Sequence, residues 1–480
     1  MAQRSGDMAK SPDVVTGGHG DALPSACSPA RWVAFRALMA IFAGEELDAL
    51  DAVGKQSTAL GLSDADRRLA SAIVLAVLRH KLTLESQIAQ YVRAPLERLD
   101  PRARVLLAMV AAQRFVLARI PSYAAVSDAV EAARAAGLDP HVCRFINAVG
   151  RRIATQERLV LPVAPHTVSD LSRVWSQPEW LVKRFLDLYG CDGAVGLLRA
   201  LNDEPALSVR VNTLSISPSA LLCLWQEAGI SAAPSVLLPD ALVVASPRDL
   251  AMALAHESFA QGFFYVQDEA SQLVAHVVAP QPGESILDLC AAPGGKATHL
   301  AELGRGQVRV HATDRDAGRL EKVRENIARL GTPNIDILAF EQIEELSGRG
   351  EGIYDAVLVD APCSAVGTIR RHPEVRWRVH PRTIAALAQR QRQLLDLAAR
   401  LVKPRGRLIY ATCSPLPEEN AGVLEAFLAA HPDYAVAPPH AELPPGVPAA
   451  SGHPPAISTW PDLPALDGFS IAVMRRASSD

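Results

Sequence analysis

No two of the seven cysteines form a C-x-x-C pair, and no two of the 13 histidines form an H-x-x-x-H pair. These absences argue against a zinc ribbon, a thioredoxin-like redox site and a helical metal centre, so no metal is expected. No run of eighteen apolar residues occurs, and neither a transmembrane helix nor a membrane partner is expected. Residues 1–28 hold Gly, Ser, Asp and Pro without the apolar stretch of a signal peptide, and read as a disordered tail. An odd cysteine count in a long chain fits free thiols in a reducing, cytoplasmic setting. Excess positive charge is missing too. The formal net charge is −4, so any contact with nucleic acid has to come from local basic patches. No internal repeat is evident, and a monomer is expected.

The chain does have length and apolar content. At 480 residues and 49% apolar, it suits two or three domains, each with its own core. Residues 29–160 carry apolar residues at three- and four-residue spacing over Trp32 to Phe42, Arg68 to Arg79, Ala103 to Ala118 and Ala124 to Ala136, the pattern of an all-helical bundle. Ser63 with Asp66 resembles a capping box, and Gly137 suits a C-terminal cap. Prolines at 162 and 165 mark a linker. Residues 166–262 mix helix and strand and read as a small α+β module. Residues 263–478 alternate strands and helices, which implies a doubly wound, mostly parallel sheet.

Three strand ends in this last block carry the chemistry. Ile286-Leu287 runs into Asp288-Leu289-Cys290-Ala291-Ala292-Pro293-Gly294-Gly295-Lys296, a glycine-rich turn that lets backbone approach a ligand. Asp314 follows Gly294 by about twenty residues, at the end of the second strand, where a carboxylate can accept ribose hydroxyls. The G-x-G-x-x-G spacing is absent, so a nucleoside without phosphates, such as S-adenosylmethionine, suits the turn better than a dinucleotide. The other two strands end in Asp360-Ala361-Pro362-Cys363 and Ala411-Thr412-Cys413-Ser414. Two thiols beside a cofactor loop, in the crevice where open α/β sheets bind ligands, suggest covalent chemistry on a substrate held next to the cofactor. Two buried structural cysteines are the competing reading, weakened by their placement in polar turns. Cys290 is expected to contribute backbone rather than sulfur.

The strings DLCAAPGGKATHL, VDAPCSAVGTIRRHPEVRW and LIYATCSPLPEEN, in that order, resemble the RNA 5-methylcytosine methyltransferases of the NOL1/NOP2/Sun family. The segment RIPSYAAVSDAVEAAR with FINAVGRR is similar to the NusB-like RNA-binding fold. The resemblance implies a Rossmann-like methyltransferase domain behind an all-α NusB-like domain and a small α+β module. It implies transfer of a methyl group from S-adenosylmethionine to C5 of cytosine in RNA, through a covalent adduct to C6. Small-subunit ribosomal RNA is the implied substrate, with transfer RNA as the rival. A non-catalytic RNA-binding assembly factor is the alternative of another class.

By that resemblance, Cys413 is the nucleophile, Cys363 assists proton removal and product release, and Asp360 contacts the N3/N4 edge of the base. Residues Cys290, Ala291, Ala292, Pro293, Gly294, Gly295 and Lys296 cradle the cofactor, Asp314 holds its ribose, and Asp360 borders it as well. The family's adenine-side aspartate is replaced by Phe340, with Glu341 one step off, so stacking by Phe340 or a shifted carboxylate is expected to substitute. Arg370, Arg371, Arg376 and Arg378, directly after Cys363 in a basic stretch with Trp377, are expected to meet RNA phosphates. A surface loop with scattered charges is the plain alternative for that stretch.

Overall fold

The computed structural model describes residues 23–24, 26–117, 122–162, 167–350, 352–460, 463 and 466–478. Most of the expected tail, the segment around Ile120 and Pro121, and the linker around Pro165 lie outside these residues. Contacts divide the chain into two compact units. One runs to Leu198 and takes in His372–Glu374. The other comprises Arg199–Arg371 and the chain from Val375 onward.

The first unit is helical. Its helices are Pro29–Ala43, Ala49–Ala59, Asp64–Ala89, Pro101–Phe115, Ser122–Ala135, Pro140–Thr155, Val168–Trp175 and nearly all of Glu179–Ala200. Ser63 caps the third as expected: its hydroxyl accepts from Asp66 N–H at 3.2 Å and donates to the Asp66 carboxylate at 2.7 Å. That helix is longer than its apolar run suggests and kinks at His80. Cys27, expected in the tail, is 5% exposed and packs in this core, so order begins before Pro29. Contacts also group Val168–Trp175 and most of Glu179–Ala200 with this unit.

The second unit holds two sheets. The small one contains β1 (Leu207–Val211), β2 (Ala232–Pro234), β3 (Ala241–Val244) and β4 (Phe264–Val266), all antiparallel, in the order β2-β3-β1-β4. Trp225 and Phe264 fill its core edge to face, with ring centroids 5.1 Å apart.

The large sheet contains β5 (Ser285–Asp288), β6 (Arg309–Ala312), β7 (Ile335–Ile337), β8 (Tyr354–Asp360), β9 (Val402–Thr412), β10 (Tyr434–Val436), β11 (Ile457–Ser458) and β12 (Ser470–Arg476). Its order is β10-β12-β9-β8-β5-β6-β7, with β11 on β12. Strands β5 to β9 are parallel, and β10, β11 and β12 join antiparallel. The central strands carry apolar runs, Ile286-Leu287 in β5, Ala356–Val359 in β8 and Leu408–Tyr410 in β9, because both faces are covered there. Ile286, Ala356, Leu358 and Ile409 enter one core; their neighbours Leu287, Val357, Val359 and Leu408 enter the other. The strand order reverses between β5 and β8, and the crevice at such a reversal is where open α/β sheets take their ligands.

Candidate active site

Sheet register brings the two thiols together. Asp360 on β8 pairs with Ala411 on β9, and Ala361 N–H donates to the Ala411 carbonyl at 2.9 Å. The chain then turns on both strands, and the Sγ atoms of Cys363 and Cys413 lie 3.1 Å apart. Gly367 N–H donates to the Cys413 carbonyl at 3.0 Å. A Cβ at Gly367 would fall 1.9 Å from the Gly468 carbonyl oxygen, so only glycine admits this close approach. Both cysteines are free and half-buried.

A second layer, not singled out by sequence reasoning, ties the two turns. Glu419 is fully buried, in the short turn Pro417–Glu419. Its carboxylate accepts from Ser364 N–H at 2.7 Å, the Ser364 hydroxyl, the Ser414 hydroxyl at 2.6 Å and Gln391 Nε2 at 3.2 Å. Ser364 follows Cys363 and Ser414 follows Cys413. Gln391 also donates to the Pro362 carbonyl at 3.0 Å, and the Tyr410 hydroxyl donates to the Glu419 carbonyl at 2.6 Å. The visible signal was only two acids and an asparagine after T-C-S-P; the distant partner of Glu419, Ser364, lies 55 residues earlier in sequence.

Burial alone does not set the charge on these groups. The contact with Cys413 is the largest cause holding the Cys363 thiol well above its ordinary range, followed by burial and the charges of Cys413 and Glu419. Cys363 is therefore protonated at neutral pH. Burial opposes the charge on Lys296, but Asp360, Asp288 and Cys413 around it raise it above its usual value. Its ammonium sits 2.6 Å from Asp360 Oδ2 and 5.6 Å from the Phe469 ring centroid. Cys290 is pushed well above the thiol range by burial and by the neighbouring carboxylates, which suits a role through backbone rather than sulfur.

On the other side of the strand-order reversal, Gly294 stands at φ 103° and opens the helix Gly295–Leu303. A Cβ there would press on Val323 at 3.2–3.6 Å. Asp314 is 8% exposed. Its oxygens accept from Ala292 N–H at 3.3 Å and Asp316 N–H at 3.0 Å, with Arg319 at 3.5 Å. Beneath the turn, both oxygens of Asp288 and the hydroxyl of Thr313 are buried, and among the described residues none meets them in good hydrogen-bond geometry. Burial, reinforced by the Asp360 charge, raises Asp288 to about 7. A glycine turn, a carboxylate at the end of the neighbouring strand and buried polar atoms beneath them fit a nucleoside-bearing ligand. Phe340 opens the helix Phe340–Arg349; its ring is 6% exposed, packs in the sheet core, and carries the Arg315 guanidinium 5.5 Å from its centroid. Glu341 is exposed at the same turn.

The basic stretch after Cys363 requires correction. Arg371 donates to Asp467 at 3.0 Å and to Asp268, and both acids are buried. Arg376 is 1% exposed and bonds Asn202 Oδ1 at 2.9 Å and the Leu201 carbonyl at 3.2 Å. Arg370 is 5% exposed. These three guanidinium groups are built into the second unit and are not presented to phosphates. Arg378 alone of the four is exposed.

Asp240 accepts from His276 and His299, whose Nε2 atoms lie 2.9 and 2.7 Å from its two oxygens. Burial and the Arg210 charge push His299 down to about 3, so a neutral imidazole donates, and hydrogen bonds account for this grouping.

Comparison with known proteins agrees with this layout. Residues 275–475 match the model for the 16S rRNA methyltransferase RsmB/F, residues 28–155 that for the NusB family, and residues 177–251 that for an RsmF/B-like ferredoxin-like domain. The ribosomal RNA small subunit methyltransferase B of Sodalis glossinidius is 38% identical over 78% of this chain and 83% of its own. The probable ribosomal RNA small subunit methyltransferase B of Synechocystis is 33% identical over 87% and 92%. Among solved structures, PH0851 superposes with a TM-score of 0.77 at 27% identity, over 95% of this chain and all of its own. NSun6 from Pyrococcus horikoshii, solved with SFG, matches in fold with a TM-score of 0.55 at 23% identity, over 63% and 99%. With its helical, ferredoxin-like and methyltransferase segments each matched in order, and relatives of this identity covering most of both chains, the protein belongs to the ribosomal RNA small subunit methyltransferase B family.

Proposed function

We propose that this chain methylates C5 of a cytidine in small-subunit ribosomal RNA through a covalent bond between Cys413 and C6. The observation that carries the reading is the Cys363–Cys413 pair, 3.1 Å apart at the ends of adjacent parallel strands, beside a turn suited to a nucleoside. C5 of cytosine is a poor nucleophile, and thiolate addition to C6 makes it enamine-like. Bound S-adenosylmethionine supplies the methyl group, held by the Cys290–Lys296 turn, by Asp314 at the ribose and by Phe340 near the adenine. Asp360, steadied by Lys296, hydrogen-bonds the N3/N4 edge of the base.

Cys363 begins the cycle as a thiol donating to Cys413. When Cys413 bonds to C6, its negative charge is consumed. The largest cause that holds the Cys363 proton then disappears, so Cys363 can release that proton to solvent and, as the thiolate, take the C5 proton. As that proton leaves, the electron pair of the C5–H bond restores the ring double bond and expels the Cys413 thiolate. The target has to be unpaired or flipped out for either sulfur to reach it. Among the described residues no helix is long and apolar enough to cross a membrane, and a ribosomal RNA substrate fits work in the cytoplasm.

Bisulfite sequencing of ribosomal RNA from a strain lacking this protein tests the reading. One small-subunit cytidine is expected to lose its methyl mark and regain it on complementation. A full set of marks in the deletion strain contradicts it, and a loss confined to transfer RNA transfers the activity to the rival substrate.

A further inference from the structure

The chemistry above needs two sulfur atoms at a fixed separation, yet the hydrogen bond each side chain shows is to the other sulfur. Each follows a strand in a turn, and turns are the mobile part of a parallel sheet. What joins them is one carboxylate. Glu419 takes the N–H and hydroxyl of the residue after Cys363, the hydroxyl of the residue after Cys413, and the amide of Gln391. All four donors are neutral, and Glu419 is fully buried. A buried carboxylate without a cation is costly, and hydrogen bonds must compensate its lost hydration.

We propose that Glu419 is a positioning residue for the two thiols, fixing the Cys363–Cys413 separation by clamping the residue that follows each. The inference rests on the two-thiol reading. Glu419 is also among the smaller causes that hold the Cys363 proton, behind the Cys413 contact and burial. Gln391 and the Tyr410 hydroxyl brace the clamp, since Gln391 holds both the carboxylate and the Pro362 carbonyl, and Tyr410 holds the Glu419 carbonyl.

Two readouts test this, one of them free of RNA. The first is closure of the Cys363–Cys413 disulfide by diamide. Each thiol gives up a proton, the sulfur–sulfur bond forms, and the two electrons reduce the diazene to the hydrazine. From 3.1 Å the sulfurs need move only about 1 Å to reach bonding distance. Glu419→Ala should slow closure about tenfold or more and lower kcat about 100-fold, the effect of a roughly 1 Å misplacement, with the Kd for S-adenosylmethionine unchanged. Glu419→Gln keeps the shape, because the two serine hydroxyls can turn to accept from its amide. It should close within about threefold of the wild type and retain most of its turnover. A Glu419→Ala protein that is folded, closes at the wild-type rate and turns over normally overturns the proposal. So does a Glu419→Gln protein as impaired as Glu419→Ala. If Glu419→Ala does not fold, the Ser364→Ala/Ser414→Ala pair takes its place: slowed closure supports the clamp and an unchanged rate overturns it. Failure of wild-type protein to form 5-methylcytosine would instead defeat the methylation reading, and the diamide readout would still judge the clamp.

Discussion

Replacing Asp314 by Ala removes a carboxylate that stands at the end of β6, 8% exposed. Both its oxygens already accept backbone N–H groups, at 3.3 and 3.0 Å. An ionised carboxylate has about four acceptor positions, so capacity remains for ribose hydroxyls. A hydrogen bond to a charged acceptor is worth about 1.5–3 kcal/mol, which corresponds to a loss of about 10- to 150-fold in affinity for S-adenosylmethionine. The bond to Ala292 is long, so its loss adds little directly but loosens the glycine turn, and the upper half of that range is expected. Asp314→Asn retains one acceptor and should fall between the two. Calorimetric titration measures the affinity, and thermal unfolding without cofactor confirms that the variant is folded. An unchanged Kd in folded Asp314→Ala would refute the reasoning and leave Asp314 as a cap for the chain entering the next helix.

Phe340→Ala should also weaken cofactor binding if the ring face stacks on adenine; unchanged affinity by the same titration would shift that role to Glu341. Arg371→Ala should lower stability by about 3–5 kcal/mol in chemical denaturation, because it takes from the Asp268 and Asp467 side chains the cation that pairs with both. Unaltered stability with weakened RNA binding would return Arg371 to the phosphates. Asp288 titrates at about 7 in the folded chain against 3.8 in the unfolded one. The folded state therefore holds the proton more tightly, and its contribution is full below about pH 4 and lost as pH rises through 7. Relative to Asp288→Asn, the wild type should lose stability across that window, with roughly 4 kcal/mol as the ceiling at 1.36 kcal/mol per unit. Parallel pH–stability curves for the two proteins would contradict the raised value.

The parts of the site that a linear reading catches are those written in local runs. The apolar strands before Asp288, Asp360 and Cys413 announce buried parallel strands, and each polar residue that follows marks a strand end. The helix Phe340–Arg349 left a fainter trace: only Phe340, Ile343 and Ser347 are buried, too sparse a face to stand out among acids. The arginines misled for a physical reason. A basic stretch looks solvated until its partners are known, and Asp268 and Asp467 lie 103 and 96 residues from Arg371. Glu419 was hidden in the same way, since a glutamate before an apolar helix reads as a terminal cap. Its function as a clamp depends on Ser364, 55 residues earlier. Long-range pairing decides which charges are structural, and periodicity carries no record of it.

The two-thiol mechanism is tested most directly by trapping the covalent intermediate. Cys363→Ala should still attack C6 and accept the methyl group but release product slowly, so a protein–RNA adduct should accumulate and survive denaturing electrophoresis. Cys413→Ala, and the double variant with Cys363→Ala, should form none. An adduct that persists in Cys413→Ala and vanishes in Cys363→Ala would contradict the account and exchange the roles of the two sulfurs.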